Sequence, residues 1–404
     1  MNFVFISPNF PEAYYRFCKG LKENGVNVLG IGDCPYEDLH PELRASLTEY
    51  FKVGTLEDYD QVMRAMGYFT FRYGKIDWVE SNNEYWLDQD AMLRTDFNIT
   101  TGLKADEISR FRSKSAMKKY YEEAGVPCAR FEMVTDLKQG LRFAEECGYP
   151  IVVKPDRGVG AEATYRLDNE EDLRAFYHDY PFVPYIMEEY IWGSVTTFDG
   201  VCNSRSEPIF AASHITLNSI MDMVNEGVPV FYYVDKEVPE DVRSAGERVL
   251  KAFKVKSRFF HLEFFRLTRD KKGLGKEGDI VALEVNMRPA GGFTPDMLNF
   301  SQSVDVFKIW ADMIVYDECV HTFEGPKSYC IYAGRRDTVN YTHSLEEIGE
   351  KFAPSLRMLT RMPDALAGTM GNQVVIACFE TKKELKEFAE YAFAPIAAVQ
   401  KMPD

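Results

Sequence analysis

Glu263, Glu284 and Asn286 carry oxygen atoms suited to a divalent cation, and each sits inside an apolar run. Residues 259–267 read FFHLEFFRL and residues 280–292 read IVALEVNMRPAGG, with the polar stretch TRDKKGLGKEGD between them. Two apolar runs joined this way predict a β-hairpin with a long loop. Alternate residues of a strand share a face. His261 and Glu263 therefore point one way, and Phe260, Leu262 and Phe264 the other. On the second run Glu284, Asn286 and Arg288 share a face, with Val281, Leu283, Val285 and Met287 packed behind. Pairing the strands brings two carboxylates and an amide together, a set that fits magnesium, which keeps waters and substrate phosphates in its shell. The planar fork of Arg288 can hold a carboxylate or a transferring phosphoryl group. A half-exposed hairpin would also turn its acids to water. The strict segregation of acid, amide, imidazole and guanidinium from the apolar side favours the cation face. His261 is expected to contact phosphate or another ligand.

A second segment, IVVKPDRGVGAEATYRL, places Lys154 at the end of an apolar strand, a turn at Pro155, and a small-residue loop from Gly158 to Ala163. Small residues at Gly158, Gly160 and Ala161 let backbone N–H groups approach phosphate oxygens, and the lysine adds a mobile charge. GxxxxGK[ST] is absent and a strand follows, so this is not a P-loop.

The elements that must position these residues form an alternating pattern. NFVFIS reads as a strand, PEAYYRFCKGLKENG as a helix and VNVLGIGD as a second strand; LEDYDQVMRAMGYF (helix) and IDWVES (strand) continue the series. This predicts a parallel sheet covered by helices. Its first turn, SPNFPEAYY, lacks GxGxxG, so the domain is expected to be a scaffold or to face substrate rather than bind a dinucleotide. ADEISRFRSKSAMKKYYEEAG reads as one polar helix, followed by the strand ARFEMV, the helix LKQGLRFAEECG and the strand YPIVVKP. At roughly 150 residues per domain, 404 residues predict two to three domains.

The composition is 46% hydrophobic and 27% charged, that of an ordinary globular chain. A net charge of −16 repels nucleic acid and anionic membranes. Eight scattered cysteines form no CxxC pair, and the N-terminus lacks the features of a signal peptide. The expectation is a reduced, cytoplasmic protein without nucleic-acid or membrane partners.

In order along the chain, Lys114, KPDRGVGAEAT, MEEYIWG (187–193), HLEFF and LEVNMRPAGG resemble the ATP-grasp superfamily, especially its carboxylate-amine ligases, such as amino-acid ligases, and their carbamoyl phosphate synthase and biotin carboxylase relatives. The resemblance spans residues 107 to about 310. It implies a mixed α/β and α+β architecture: an N-terminal Rossmann-like pre-ATP-grasp domain (1–106), a small subdomain with the phosphate loop (107–190), a central subdomain with the metal site (191–310) and a C-terminal α/β lobe (311–404). It further implies that Lys114 and Lys154 contact ATP phosphates and that Glu188 to Ile191 form a hinge, with backbone groups of Glu189 and Ile191 reading adenine. Glu263, Glu284 and Asn286 would bind two magnesium ions, replaceable by manganese, and Arg288 would stabilise an acyl phosphate. Expected partners are ATP, small carboxylate and amine substrates, and a second copy of the chain.

Two departures stand out. Ala161 and Ala163 replace glycines found in many members. Val195 replaces a ribose-binding glutamate, with Glu188 a substitute. The implied activity is ADP-forming ligation of a carboxylate, such as that of an amino acid, to an amine. A bicarbonate-activating enzyme and a non-catalytic ATP-binding protein are the alternatives. Arg335, Arg336 and Arg361 are candidates for a substrate carboxylate. Trp192, Phe198 and His214 are candidates for an aromatic-lined pocket, although core packing explains most aromatics equally well.

Overall fold

The computed structural model describes residues 1–158, 163–180, 183–216 and 229–395, apart from the Ala365 side chain. Its first layer is a four-stranded parallel sheet, in the order Glu49–Lys52, Asn27–Gly32, Asn2–Ile6, Trp78–Glu80. Strand Asn2–Ile6 is buried on both faces, as a parallel strand covered by helices must be. Phe3 and Phe5 pack towards Phe17 and Trp310, while Val4 and Ile6 pack towards Val62, Met66 and Phe69 of helix Tyr59–Tyr73.

A second, antiparallel sheet has the order Phe131–Met133, Tyr185–Glu189, Ile151–Pro155, Tyr165–Leu167. Helices Leu137–Cys147 and Glu170–His178 contribute Phe143, Leu173 and Phe176 to its core. The third sheet has nine strands. Its path runs Ile280–Asn286, Arg258–Leu267, Gly193–Cys202, His214–Thr216, Val230–Val234, Tyr329–Arg335, Gln373–Phe379, Leu356–Arg361, and Pro208–Ala212 pairs beside Gly193–Cys202. The strands beyond residue 311 thus extend the same sheet that carries the hairpin, since each lies in register with its neighbour. Helix Glu240–Ala252 covers the back, packing Val242, Val249 and Leu250 on Phe260, Leu262 and Phe264.

The helix expected over 105–125 is two helices, Ser109–Arg112 and Lys114–Ala124. Ser113 adopts extended backbone and its hydroxyl accepts from the Ala116 N–H, a cap that starts the second helix. Gly125, at φ +61°, ends it. Among the described residues no helix is long and apolar enough to cross a membrane.

Candidate active site

A cavity of about 360 Å³ lies between the second and third sheets. The hairpin supplies its floor. Glu263 stands directly opposite Glu284, and His261 opposite Asn286, so the expected oxygen cluster forms. Phe260, Leu262 and Phe264 are buried in the core behind, as alternation requires.

Alternation fails at one place. The register shifts between Glu263 and Phe264, leaving Leu283 as an extra residue between Glu284 and Ala282. This β-bulge re-aims the strand. Leu283 lines the cavity rather than packing behind it, and Val281 joins a cluster with Ala129, Ile191 and Leu267, while Val285 and Met287 stay in the rear core.

The facing wall is cationic. Lys154 Nζ lies 2.6 Å from one Glu188 carboxylate oxygen, and Lys118 is salt-bridged to the other. Burial pushes the Glu188 carboxyl up, but the two ammonium groups outweigh it and hold it at about 2. Lys118 was not among the expected residues, although it follows Lys114 by one helical turn on the same face. Lys114 Nζ donates to the Gly158 carbonyl (3.3 Å) and lies 3.4 Å from Glu284 Oε1. Its position is set by Asp156, whose carbonyl accepts from the Lys114 N–H (2.9 Å) and whose carboxylate accepts from the Ser113 hydroxyl (2.7 Å). Gly160 and Ala161 lie outside the described residues.

Burial raises the Glu284 carboxyl. Lys114 and Lys154 pull it down, yet Glu263 across the ladder adds to the rise and the net shift is upward. Glu263 is shifted down despite burial, because His261 bonds it. His261 Nε2 is 2.8 Å from Glu263 Oε1 and its Nδ1 is 2.7 Å from Asp199 Oδ1. Both ring nitrogens are therefore engaged. This leaves none for the phosphate contact expected from the sequence, and His261 orients Glu263 instead. Burial lowers the pKa of this imidazole, but Asp199 and Glu263 raise it to about 9.

Arg288 donates through Nε to Glu84 Oε2 (2.8 Å) and through Nη1 to the Pro289 carbonyl (2.9 Å), and Arg112 holds the second Glu84 oxygen. Glu189 and Ile191 line the cavity. The Glu189 N–H donates to the Arg130 carbonyl (3.1 Å), and its carboxylate pairs with Arg130 (2.8 Å) and Lys271 (3.3 Å). Val195 and Glu188 both line the cavity, with Glu188 paired to Lys118 and Lys154.

Of the aromatic candidates, His214 lines the cavity. Phe198 is buried in the core behind, against Phe260, and Trp192 meets Tyr190 edge to face and carries the Arg269 guanidinium over its ring. Arg335 donates to the His343 carbonyl and stacks on Tyr341, Arg336 donates to the Gly368 carbonyl, and Arg361 pairs with Asp337. None of the three is among the residues lining the cavity. Asp199 and Glu84, absent from the sequence expectations, are the second layer that orients His261 and Arg288. No local pattern marks them, because the partners are 62 and 204 residues away.

Residues 113–180, which hold Lys114, Lys118, Lys154 and Gly158, match the family described as carbamoyl-phosphate synthase L chain, ATP binding domain. A crystal structure of L-amino acid ligase from Bacillus licheniformis superposes with a TM-score of 0.70 at 15% identity, covering 97% of this chain and 96% of that one. The fold is ATP-grasp. Two curated relatives are similar to this chain. The L-arginine-specific L-amino acid ligase of Bacillus subtilis is 23% identical over 370 residues, 89% of this chain and 86% of that protein. The carbamoyl phosphate synthase large chain of Clostridium botulinum is 27% identical over 166 residues, 41% of this chain. The chain spans only 15% of the length of that synthase chain. In ATP-grasp terms, the cationic wall comes from the sheet containing Lys154 and Glu188, and the oxygen-rich floor from the sheet containing Glu263 and Glu284.

Proposed function

We propose that this protein is an ADP-forming ligase that activates a small carboxylate as an acyl phosphate and joins it to an amine. The observation that carries this reading is the register of the hairpin, which sets Glu263 against Glu284 with Asn286 alongside, in one cavity with Lys154 and Arg288. The similarity to two L-amino acid ligases over most of both chains supports an amino acid as the carboxylate.

Magnesium fits these residues. Two facing half-buried carboxylates and a buried amide form a hard-oxygen set, and the upward shift of Glu284 marks an acid whose charge the neighbouring lysines do not fully offset. Glu263, Glu284 and Asn286 would hold it. When bound, the ion supplies charge neutralisation at the transferring phosphoryl group.

The chain's own residues do the rest. Lys114 and Lys154 hold phosphate oxygens of ATP, Ile191 and the Glu189 carbonyl read the adenine edge, and the hydrophobic surfaces of Val195 and Phe265 exclude water. The substrate carboxylate attacks the γ-phosphorus, ADP leaves, and the acyl phosphate is met by the Arg288 guanidinium, kept in place by Glu84. An amine then displaces phosphate.

The test is phosphate release from ATP and magnesium with the protein amino acids supplied in pairs. Amine-dependent release is expected from the wild type, and Glu284→Ala is expected to abolish it. Turnover retained in that variant would refute the metal assignment, and stimulation by bicarbonate alone would refute the choice of acceptor.

A further inference from the structure

His214 is placed to act on the amine, and nothing in the activation half of the reaction uses it. It lies on the strand next to Gly193–Cys202, which in turn pairs with the strand of Glu263. Two strand spacings put its backbone about 10 Å from that of Glu263, beside the cation face rather than on it. There the cavity is walled by Val230, Tyr232, Thr294 and Met370. The Tyr232 hydroxyl is engaged with Thr294 at 2.9 Å. Beside Val230, Tyr232, Thr294 and Met370, His214 supplies the imidazole at this end of the cavity.

Its tautomer follows from its partners. Nδ1 lies 2.7 Å from Asp199 Oδ2. Asp199 accepts at both oxygens, from His261 Nδ1 at one and from His214 Nδ1 and the Thr197 hydroxyl at the other, which is the bonding of a carboxylate. A carboxylate only accepts, so Nδ1 carries the proton. The Thr197 hydroxyl also donates to Asp199 Oδ2 (2.6 Å) and accepts the His214 N–H (2.9 Å), locking the pair. His261 is engaged at both ring nitrogens, by Asp199 and Glu263, whereas His214 is engaged at Nδ1. Its Nε2 then presents a lone pair and has no hydrogen-bond partner among the described residues.

Resting on the ligase reading, we propose that His214 Nε2 is the base that deprotonates the incoming ammonium group, with Asp199 and Thr197 as positioning residues. One ammonium proton passes to Nε2. The freed nitrogen lone pair forms the C–N bond at the acyl carbon, the C–O bond to phosphate breaks, and its electron pair leaves with phosphate. The second nitrogen proton goes to the departing phosphate as its hydrogen, and His214 returns its proton to solvent as product leaves.

Hydroxylamine separates this role from activation, because it is largely uncharged near neutral pH and needs no base to attack an acyl phosphate. Wild type and His214→Gln are supplied with ATP, magnesium and a mixture of the protein amino acids, with and without hydroxylamine. Hydroxamate and dipeptide are measured by mass. The ratio of dipeptide to hydroxamate is expected to fall about 100-fold in the variant, and free imidazole is expected to restore part of it in His214→Ala. A ratio within about threefold of wild type, or equal loss of both products in His214→Gln and His214→Asn, overturns the assignment while leaving the ligase reading intact. Wild type that forms no hydroxamate overturns both.

Discussion

Glu188 receives one ammonium group on each carboxylate oxygen, and the consequence is measurable in acid. Its carboxyl falls from an ordinary 4.5 to about 2 in the folded chain. A folded value below the unfolded one contributes stability that is complete above pH 4.5 and is lost as pH falls towards 2. The contribution is of the order of 3 kcal/mol. Glu188→Gln lacks it and also strands two buried lysines, so the variant is expected to melt below wild type at neutral pH. That gap should narrow as the pH is taken down to about 3, and a gap that stays constant with pH would contradict the ion-pair account. At this scale Glu263, Glu284, Asn286 and Arg288 were legible, because their chemistry and their alternation lie in one short stretch of chain. Glu188 was legible as a position, but its pairing with two lysines was not. Its partner Lys118 became visible only once helix Lys114–Ala124 faced the strand of Glu188.

Ser113 divides what reads as one helix, and the division aims Lys114. The cap satisfies an orphan N–H at the start of helix Lys114–Ala124, and the same hydroxyl bonds Asp156 on the turn after strand Ile151–Pro155. Ser113→Ala is expected to cost about 1 kcal/mol, as cap removal usually does. It should also weaken ATP binding, since Lys114 loses its fixed entry into the cavity. Urea unfolding and calorimetric titration with ATP check the two effects; a stability loss with unchanged ATP affinity would separate the cap from the site. The bulge at Leu283 is the other element-scale departure from the sequence pattern. A period of two carries no mark of an inserted residue, and only the pairing with Glu263 and Phe264 exposes the shift.

Across the whole molecule, the N-terminal sheet is tied to the hairpin floor of the cavity by ion pairs that cross the boundary between them. Arg258, 1% exposed, donates to the Met287 carbonyl (2.7 Å) and lies 3.4 Å from Glu80 at the end of strand Trp78–Glu80, and Glu80 also binds Arg94 at 2.9 Å. A few residues on, Glu84 holds Arg288. The segment around Glu80 and Glu84 therefore clamps the chain just beyond strand Ile280–Asn286, where Arg288 lies. Glu84→Ala is expected to lower turnover roughly 10- to 100-fold with the KM for ATP changed less than about threefold, because the arginine is freed while the nucleotide wall is untouched. Steady-state kinetics distinguish this from a general loss of binding, which would raise KM in step.

From the sequence alone came the local periodicities: the opening β-α-β series, the apolar backs of the two hairpin strands, and the acids, amide and guanidinium on their fronts. Those features depend on neighbours within a few residues, and chain geometry enforces them. The tertiary structure decided which strand lies beside which. That choice set Asp199 against both His214 and His261, Glu84 under Arg288, Lys118 against Glu188, and the C-terminal strands into the sheet of the hairpin. Such contacts join residues far apart in the chain, and burial and charge balance select them only when the whole core has closed.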